Sequence, residues 1–402
     1  MTNRLFLEIL KTAINGEDLP CEVSLSREET DEILRKAELH RVLPIIYDKV
    51  YAVCPYDDSE KEILLKRTKL LVLQQSLREE SFLRLYGELQ KKGLTPLVVK
   101  GIVCRQLYPK PEFRFSGDED LLISSKEAEA YDKALTELGL RKQEAHKENS
   151  YETSYFTDEG LHIELHTSLF STQTEYFNRY NEVLKEVSSR AVFIQAGNRE
   201  LYTLCPTDHL VFLILHTLKH FINGGVGIRQ ICDIMLFARQ YSDDIEWNSV
   251  LEKLRYTKAD KFTAGIFAIG GKHLGFEKEA DIYNSVAGKL RINEEALLKD
   301  ILCAGVYGGA TMSRRHSAQI TWDAVQGKKK RLLHRLFPPL RELDGRFSYA
   351  CRMPLLLPVA WIHRIFVYVT QISKKDSNTP VQTLLIANER TQLLKSFDLL
   401  ED

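Results

Sequence analysis

The chain lacks any uncharged run of the roughly 18–20 residues that a spanning helix needs. The nearest approach, MPLLLPVAWIHRIFVYVTQI over 353–372, is interrupted by His363 and Arg364 and broken at its start by Pro354 and Pro358. It reads instead as a buried helix packed on another domain, and a peripheral membrane contact is the less favoured alternative. The seven cysteines form no CxxC, are odd in number and lie far apart, which argues against a zinc site or a disulfide framework and for a reducing compartment. The first residues carry Glu8 within a short apolar stretch and lack the layout of a signal peptide, so a cytoplasmic location is expected. Excess charge of one sign is missing too. With 55 Lys and Arg against 56 Asp and Glu the net charge is −1, which excludes a surface built wholly for nucleic acid and predicts no DNA partner. Neither internal repeats nor low-complexity tracts occur.

What is present is an ordinary globular composition, 44% hydrophobic and 28% charged, spread over 402 residues, too many for one simple core. Helical patterns cover 3–15, 27–52 and 58–92, with Ser26 as N-cap of the second and Glu28 and Glu29 in its first turn. The texture changes at Gly93. LTPLVV (94–99) and DLLIS (120–124) read as strands, Gly101–Leu107 as a short helix, and Ser125 as the cap of a helix ended by Gly139. Strand-like segments follow in LRKQEAH, YETSYFTD, LHIELHTSL, VFIQA and ELYTL. From Pro206 the pattern is again helical, in TDHLVFLILHTLKHFI, IRQICDIMLFARQY, IEWNSVLEKLRY and KFTAGIFAIGGKHLG. The expected architecture is α+β: a helical region over 1–92, a small mixed-sheet core over 93–205 and a helical domain over 206–402.

The stretch that carries chemistry is SGDEDLLI, where Gly117 precedes three consecutive acids. Alternate residues of a strand share a face, so Asp118 and Asp120 project together. Two like charges this close need compensation, and a divalent cation supplies it; Mg²⁺ in particular binds through one or two carboxylates plus substrate phosphates. HIELH (162–166) offers a third acid: His162, Glu164 and His166 alternate, with Ile163 and Leu165 directed to the core, and Glu164 is the candidate. Spacing alone leaves a solvated pair of loop charges as the commoner outcome for an Asp-x-Asp. Relief of like-charge repulsion predicts that Asp118→Asn or Asp120→Asn abolishes activity with little loss of stability.

Together with Lys100-Gly101 after a strand, the Tyr108-Pro109 loop, Arg114 and the Gly117-Asp118-x-Asp120-Leu121-Leu122 strand, this segment resembles the uncharacterised nucleotidyltransferase family of the DNA polymerase β-like superfamily. The acid-x-His strand of that family matches Glu164 and His166, and LHTLKHF…GGVGIRQICDI (215–234) is similar to a second family segment. The similarity covers about 80–240 and extends loosely to LFPP (336–339) and LLPVAWIHR (356–364). The resemblance implies transfer of a nucleotidyl group from an NTP to an acceptor, with Mg²⁺ or Mn²⁺ as cofactor. Asp118 and Asp120 would hold both ions and Glu164 the one nearest the acceptor. Lys100 and Arg114 would neutralise phosphate charge; Gly101, Gly117 and His166 complete the motif. The wider superfamily usually has Gly-Ser or Gly-Gly before the DxD, where this chain has Lys100-Gly101. The acceptor class is a small molecule, saccharide or protein. Two alternatives stand beside this reading: a nucleotide-binding scaffold without turnover, and an RNA-modifying nucleotidyltransferase.

Other features have ordinary explanations. His216 and His220 lie i, i+4 on a helix with Lys219 between them, but Thr217 stands where a zinc protease has its glutamate, so a cleft-facing or core position is favoured over a metal. Arg229 and Asp233 have the spacing of a helix-surface ion pair. NGGVG (223–227) lacks a P-loop's Gly-Lys-Ser/Thr and reads as an interhelix turn, and GKKKRLLHRLF (327–337) as a solvated basic run.

Overall fold

The computed structural model describes residues 2–143, 151–288, 290–305, 347, 349–350, 353, 356–363 and 380–400. The segments 327–337 and 336–339, and all of 364–372, lie outside them. The chain falls into two compact units, Met1–Thr217 with Gly227–Glu294, and Leu218–Val226 with Glu295–Asp402. The boundaries expected at 92 and 205 do not enter this division.

The first unit opens with four helices, α1 (Thr2–Asn15), α2 (Arg27–Leu39), α3 (Leu43–Val53) and α4 (Asp58–Lys91). Ser26 caps α2 in a reciprocal capping box with Glu29. The helical pattern over 27–52 is two helices, because Arg41 takes φ 57° and Pro44 opens α3. α4 runs unbroken for 34 residues from an Asp57–Glu60 capping box.

Seven strands form one mixed sheet in the order β3-β4-β5-β2-β1-β7-β6. They are β1 (Leu97–Val99), β2 (Glu119–Leu122), β3 (Arg141–Lys142), β4 (Glu152–Phe156), β5 (His162–His166), β6 (Val192–Ala196) and β7 (Arg199–Thr203). β2 is the middle strand, antiparallel to β1 and parallel to β5. Val98, Val99, Leu121 and Ile163 are all fully buried, as expected for the centre of a sheet covered on both faces. This centrality fixes the register, with Asp120 opposite both Val99 and Glu164, and Leu122 opposite His166.

Two local differences from the sequence pattern have simple causes. The cap before α6 (Ala128–Glu137) is Ser124, which accepts from the Lys126 N–H and opens a 3-10 turn over Ser125–Glu127, one residue earlier than Ser125. α7 (Glu175–Val183) carries no clear sequence signal because it is nine residues long and buries only Phe177 and Tyr180. α8 (Pro206–Asn223) crosses the division between the units. α9 (Ile228–Gln240), α10 (Trp247–Tyr256), α11 (Asp260–Leu274) and α12 (Glu277–Ala287) complete the first unit.

The second unit holds most of α13 (Glu294–Ala304) and a helix over Pro380–Ser396. Arg390, 1% exposed, ties that helix to Asp300 at 2.8 Å and to the Phe221 carbonyl. Within 356–363 Ala360 packs with Phe347 and Ala350, while Val359 and Ile362 are exposed, so this piece is buried on one side only. No helix among the described residues is long and apolar enough to cross a membrane.

Candidate active site

The site begins with a strained step at the end of β1. Lys100 has φ 65° and ψ −118°, and Gly101 follows at φ 20° as the first residue of α5 (Gly101–Arg105). A non-glycine residue at positive φ is sparsely populated and persists where the surroundings hold it. Here the Lys100 N–H donates to His209 Nε2 at 3.2 Å, and His209 Nδ1 lies 3.4 Å from Thr203 Oγ1, whose hydroxyl donates to the Val98 carbonyl. Burial pushes His209 down to about 3, so its ring is neutral and Nε2 is free to accept. Gly101 is required sterically as well, since a Cβ there would overlap Glu119 Oε2.

The three consecutive acids divide between two environments. Glu119 turns away from its neighbours into the core, accepts from the Ile102 N–H at 2.8 Å and pairs with Arg105. It thereby caps α5, whose first N–H groups, like those of any helix, have no partner within the helix. Arg105, fully buried, is also 3.3 Å from Glu79 of α4. Asp118 and Asp120 lie on the opposite side, where Lys100 Nζ is 3.9 Å from Asp118 Oδ1 and 3.1 Å from Asp120 Oδ2.

From β5, His166 Nε2 is 3.2 Å from Asp120 Oδ1 and 3.6 Å from Glu164 Oε2. One ligand atom each from Asp120, Glu164 and His166 lies within 4.8 Å of the others. Ile163 and Leu165 point into the core, so the period-two pattern of the strand sets this face. Burial opposes ionisation of Lys100, but Asp118, Asp120 and Glu164 outweigh it and its ammonium is held well above its ordinary value. Burial likewise opposes charge on His166, and contacts with Asp120 and Glu164 carry it to about 9. Burial would raise Asp120, yet Lys100 and His166 hold it well below the carboxylate range. Glu164 goes the other way, raised by burial and by the neighbouring Asp120 and Asp118 charges against the pull of His166. Two carboxylates in contact with one imidazolium thus differ in proton affinity.

Buried Asp120 is the counter-ion of both Lys100 and His166, and this corrects the expectation that its removal is harmless to stability. Asp120→Asn removes the nearest counter-ion of two buried cations, leaving Lys100 with Asp118 at 3.9 Å and His166 with Glu164 and Glu152 at 3.6 and 3.9 Å, whereas Asp118 is partly exposed and, among the described residues, pairs with Lys100 alone, at the limit of ion-pair distance.

Arg114 is fully buried, and its partners are all protein groups. Its Nη2 is 2.7 Å and its Nε 3.1 Å from the Asp233 carboxylate, and it donates further to the Gly101 carbonyl at 3.3 Å and to Ser116. The Tyr108 hydroxyl adds a bond to Asp233 at 2.8 Å. The Tyr-Pro loop, the arginine and α9 are thereby fastened under the Lys100-Gly101 step. The helix-surface pair expected between Arg229 and Asp233 is replaced by this arrangement. Both residues are buried, Asp233 serves Arg114, and Arg229 donates to the Phe115 carbonyl.

Gly117 is exposed, with nothing within 4 Å of where a Cβ would stand. His216, half-buried on α8, contacts Phe212 at 5.4 Å between ring centroids, and its charge is among those lowering Asp120. Lys219 and His220 belong to the second unit. In NGGVG the N–H groups of Gly224 and Gly225 both donate to the His220 carbonyl, and that of Gly227 donates to Gln230, so this is a closed turn.

Sequence reasoning missed Glu119, Arg105, Glu79, His209 and Gln75, whose side-chain carbonyl accepts from the Ser116 N–H at 2.8 Å. The period-two rule could have assigned Glu119 to the opposite face from its neighbours. No local pattern marks the others.

A family model described as an uncharacterised nucleotidyltransferase matches residues 26–274, from the cap of α2 to the end of α11. No curated protein matches the chain. A solved structure described as a tRNA-processing enzyme (apo form I) is similar over 79% of this chain and 97% of its own, at 11% identity and a TM-score of 0.20, too low to carry an argument. The family match spans well over half of the sequence, including the whole sheet and every carboxylate of the candidate site, and the chain belongs to the uncharacterised nucleotidyltransferase family.

Proposed function

We propose that the protein transfers a nucleotidyl group from an NTP to an acceptor hydroxyl or phosphate. Asp118, Asp120 and Glu164 would hold a divalent cation, Mg²⁺ or Mn²⁺. The observation that carries this reading is the meeting of Asp120, Glu164 and His166 on adjacent parallel strands, with Asp118 in the residue just before β2. The donor set fits such an ion: the hard carboxylate oxygens of Asp118, Asp120 and Glu164 suit Mg²⁺ or Mn²⁺. When bound, the ion supplies charge neutralisation for the phosphates.

The chain's own residues have distinct parts. Asp120, kept ionised by Lys100 and His166, is the fixed anionic centre. His166 orients it and serves as a positioning residue. Glu164, whose proton affinity is raised, takes the proton of an acceptor hydroxyl as oxygen attacks the α-phosphorus and the bond to pyrophosphate breaks. Lys100 offsets the negative charge growing on the departing pyrophosphate. Arg114 acts at one remove, by holding the Gly101 carbonyl and Ser116 in place. His216, whose charge helps keep Asp120 ionised, is a further candidate nucleotide-contacting residue. The acceptor is a small molecule, saccharide or protein, and the wide spacing of the cysteines favours a cytoplasmic enzyme.

A nucleotide-binding scaffold is favoured by a different observation, since Lys100 already compensates Asp120 at 3.1 Å without any ion. The deciding experiment is thermal unfolding of the full chain with each NTP, with and without Mn²⁺ or Mg²⁺, beside pyrophosphate release over a panel of acceptors. A ligand at 100 times its dissociation constant adds about 2.7 kcal/mol to the folded state. A metal-dependent rise with one NTP, lost in Glu164→Gln, supports the enzyme. A rise without metal, retained in Glu164→Gln and with no pyrophosphate released, supports the scaffold.

A further inference from the structure

Three arginines from three separate elements converge on the loop that precedes Asp118. Arg41, between α2 and α3, places its guanidinium carbon 5.1 Å from the centre of the Phe115 ring. Arg78 of α4 approaches the same ring at 5.4 Å and donates to the Ser116 carbonyl at 3.2 Å. Arg229 of α9 donates to the Phe115 carbonyl. The next residues are Gly117, exposed, and then Asp118.

This cluster differs from the other buried arginines of the unit in what balances it. Arg105 has Glu79 and Glu119, and Arg114 has Asp233. Among the described residues no carboxylate lies within ion-pair distance of Arg41, Arg78 or Arg229. Cation–aromatic contacts such as those of Arg41 and Arg78 are weak at exposed sites, too weak to account for gathering three like charges. Arg229 is only 7% exposed and its Nε has no partner, a buried donor that awaits an acceptor. Burial, with the Arg114 charge close by, also disfavours its charged form, while Asp233 and, less strongly, Asp118 favour it, so the cluster borders the carboxylate site. Planar guanidinium forks match phosphate oxygens. Arg41 and Arg78 retain solvent exposure, so a ligand can reach them.

We infer that Arg41, Arg78 and Arg229, arranged around Phe115–Gly117, form a polyphosphate subsite that receives the terminal phosphates of a nucleoside triphosphate. The nucleotide part of this inference rests on the function proposed above; the anion site does not. The half-exposed Asp118 marks the edge of the carboxylate site from which such a chain would extend.

The test is calorimetric titration of inorganic tripolyphosphate, without metal and at low salt, into the full chain and into the double variant Arg41→Gln/Arg78→Gln. Arg84→Gln is the control, an exposed residue of the same helix paired with Glu80. Far-UV circular dichroism and melting establish that the variants fold. Tripolyphosphate binding that weakens at least tenfold in the double variant and stays within twofold in Arg84→Gln supports the subsite. Equal binding by wild type and double variant overturns it. So does a wild type that ignores tripolyphosphate yet shows a metal-dependent NTP shift, and in that case the nucleotidyltransferase reading survives. If tripolyphosphate binds as expected but no NTP shifts the melt, the anion site stands and the nucleotidyltransferase reading falls. A single-stranded RNA oligomer is the remaining arm. RNA binding lost in the double variant, with tripolyphosphate inert, overturns assignment to a triphosphate and points to an acceptor's phosphates.

Discussion

Glu119 and Asp120 are adjacent in β2, equally buried and each in contact with a cation, yet they belong to opposite kinds of cluster. Around Glu119 the groups close on one another: Arg105 answers it, Glu79 answers Arg105, and the Ile102 N–H takes the remaining oxygen. Around Asp120 there are more ionisable groups than pairings, with Lys100, His166, Glu164 and Asp118 drawn to one point. The first cluster is what a fold needs to bury charge. The second holds proton affinities apart in a way that folding does not require, which is the mark of a site where a charge is to be received or moved.

The largest expected effects test whether this division is real. Arg105→Met leaves buried Glu119 without its cation and should lower unfolding free energy by about 3–5 kcal/mol, and Asp120→Asn, which removes only the nearest of several carboxylates around Lys100 and His166, should lower it by less, both read from urea midpoints. They should then separate. Arg105→Met should retain Mn²⁺ binding per folded molecule, and Asp120→Asn should lose it. If both retain binding, the cluster around Asp120 is structural as well.

Next in size is the response to acid. His209 is depressed to about 3 against an ordinary value near 6.5, so its contribution is complete above 6.5 and is lost as pH falls. At 1.36 kcal/mol per unit, stability should decline by about 2 kcal/mol between pH 6.5 and 5. His209→Gln should flatten that limb. His166 works in the opposite sense, since its value of about 9 is raised above 6.5. Its contribution is complete below 6.5 and disappears as pH rises through 9, so His166→Gln should alter the alkaline limb alone. An unchanged acid limb in His209→Gln would remove that ring from the account of the strained Lys100 step.

The smallest stability effect belongs to Asp118→Asn. The residue is partly exposed and only marginally paired, so its melting midpoint should match the wild type to within about 0.5 kcal/mol. Metal-dependent NTP binding should nevertheless fall sharply. A variant that melts and binds like the wild type would take Asp118 out of the site.

The site was legible in the sequence where local rules suffice. Alternation along β5 put Glu164 and His166 on one face, and the ordered run from Lys100 to Leu122 carried the family resemblance, which the match over 26–274 shows. What stayed hidden depends on partners supplied by tertiary structure. Arg105 meets Glu79 and Glu119 across distant elements, and Lys100 meets His209 across 109 positions. Arg229 and Asp233 misled because their spacing describes a solvated helix surface, whereas α9 is buried almost throughout, and there neighbours from other elements decide the pairing.

The overlap that a Cβ at Gly101 would make with Glu119 has a consequence for the history of the sequence. A lineage cannot enlarge residue 101 while keeping the glutamate, and shortening the glutamate abandons Arg105 and the first turn of α5. Positions 101, 105 and 119 should therefore change together or not at all. An ancestor that altered one of them would have had to pass through a form whose central strand no longer holds the first turn of α5.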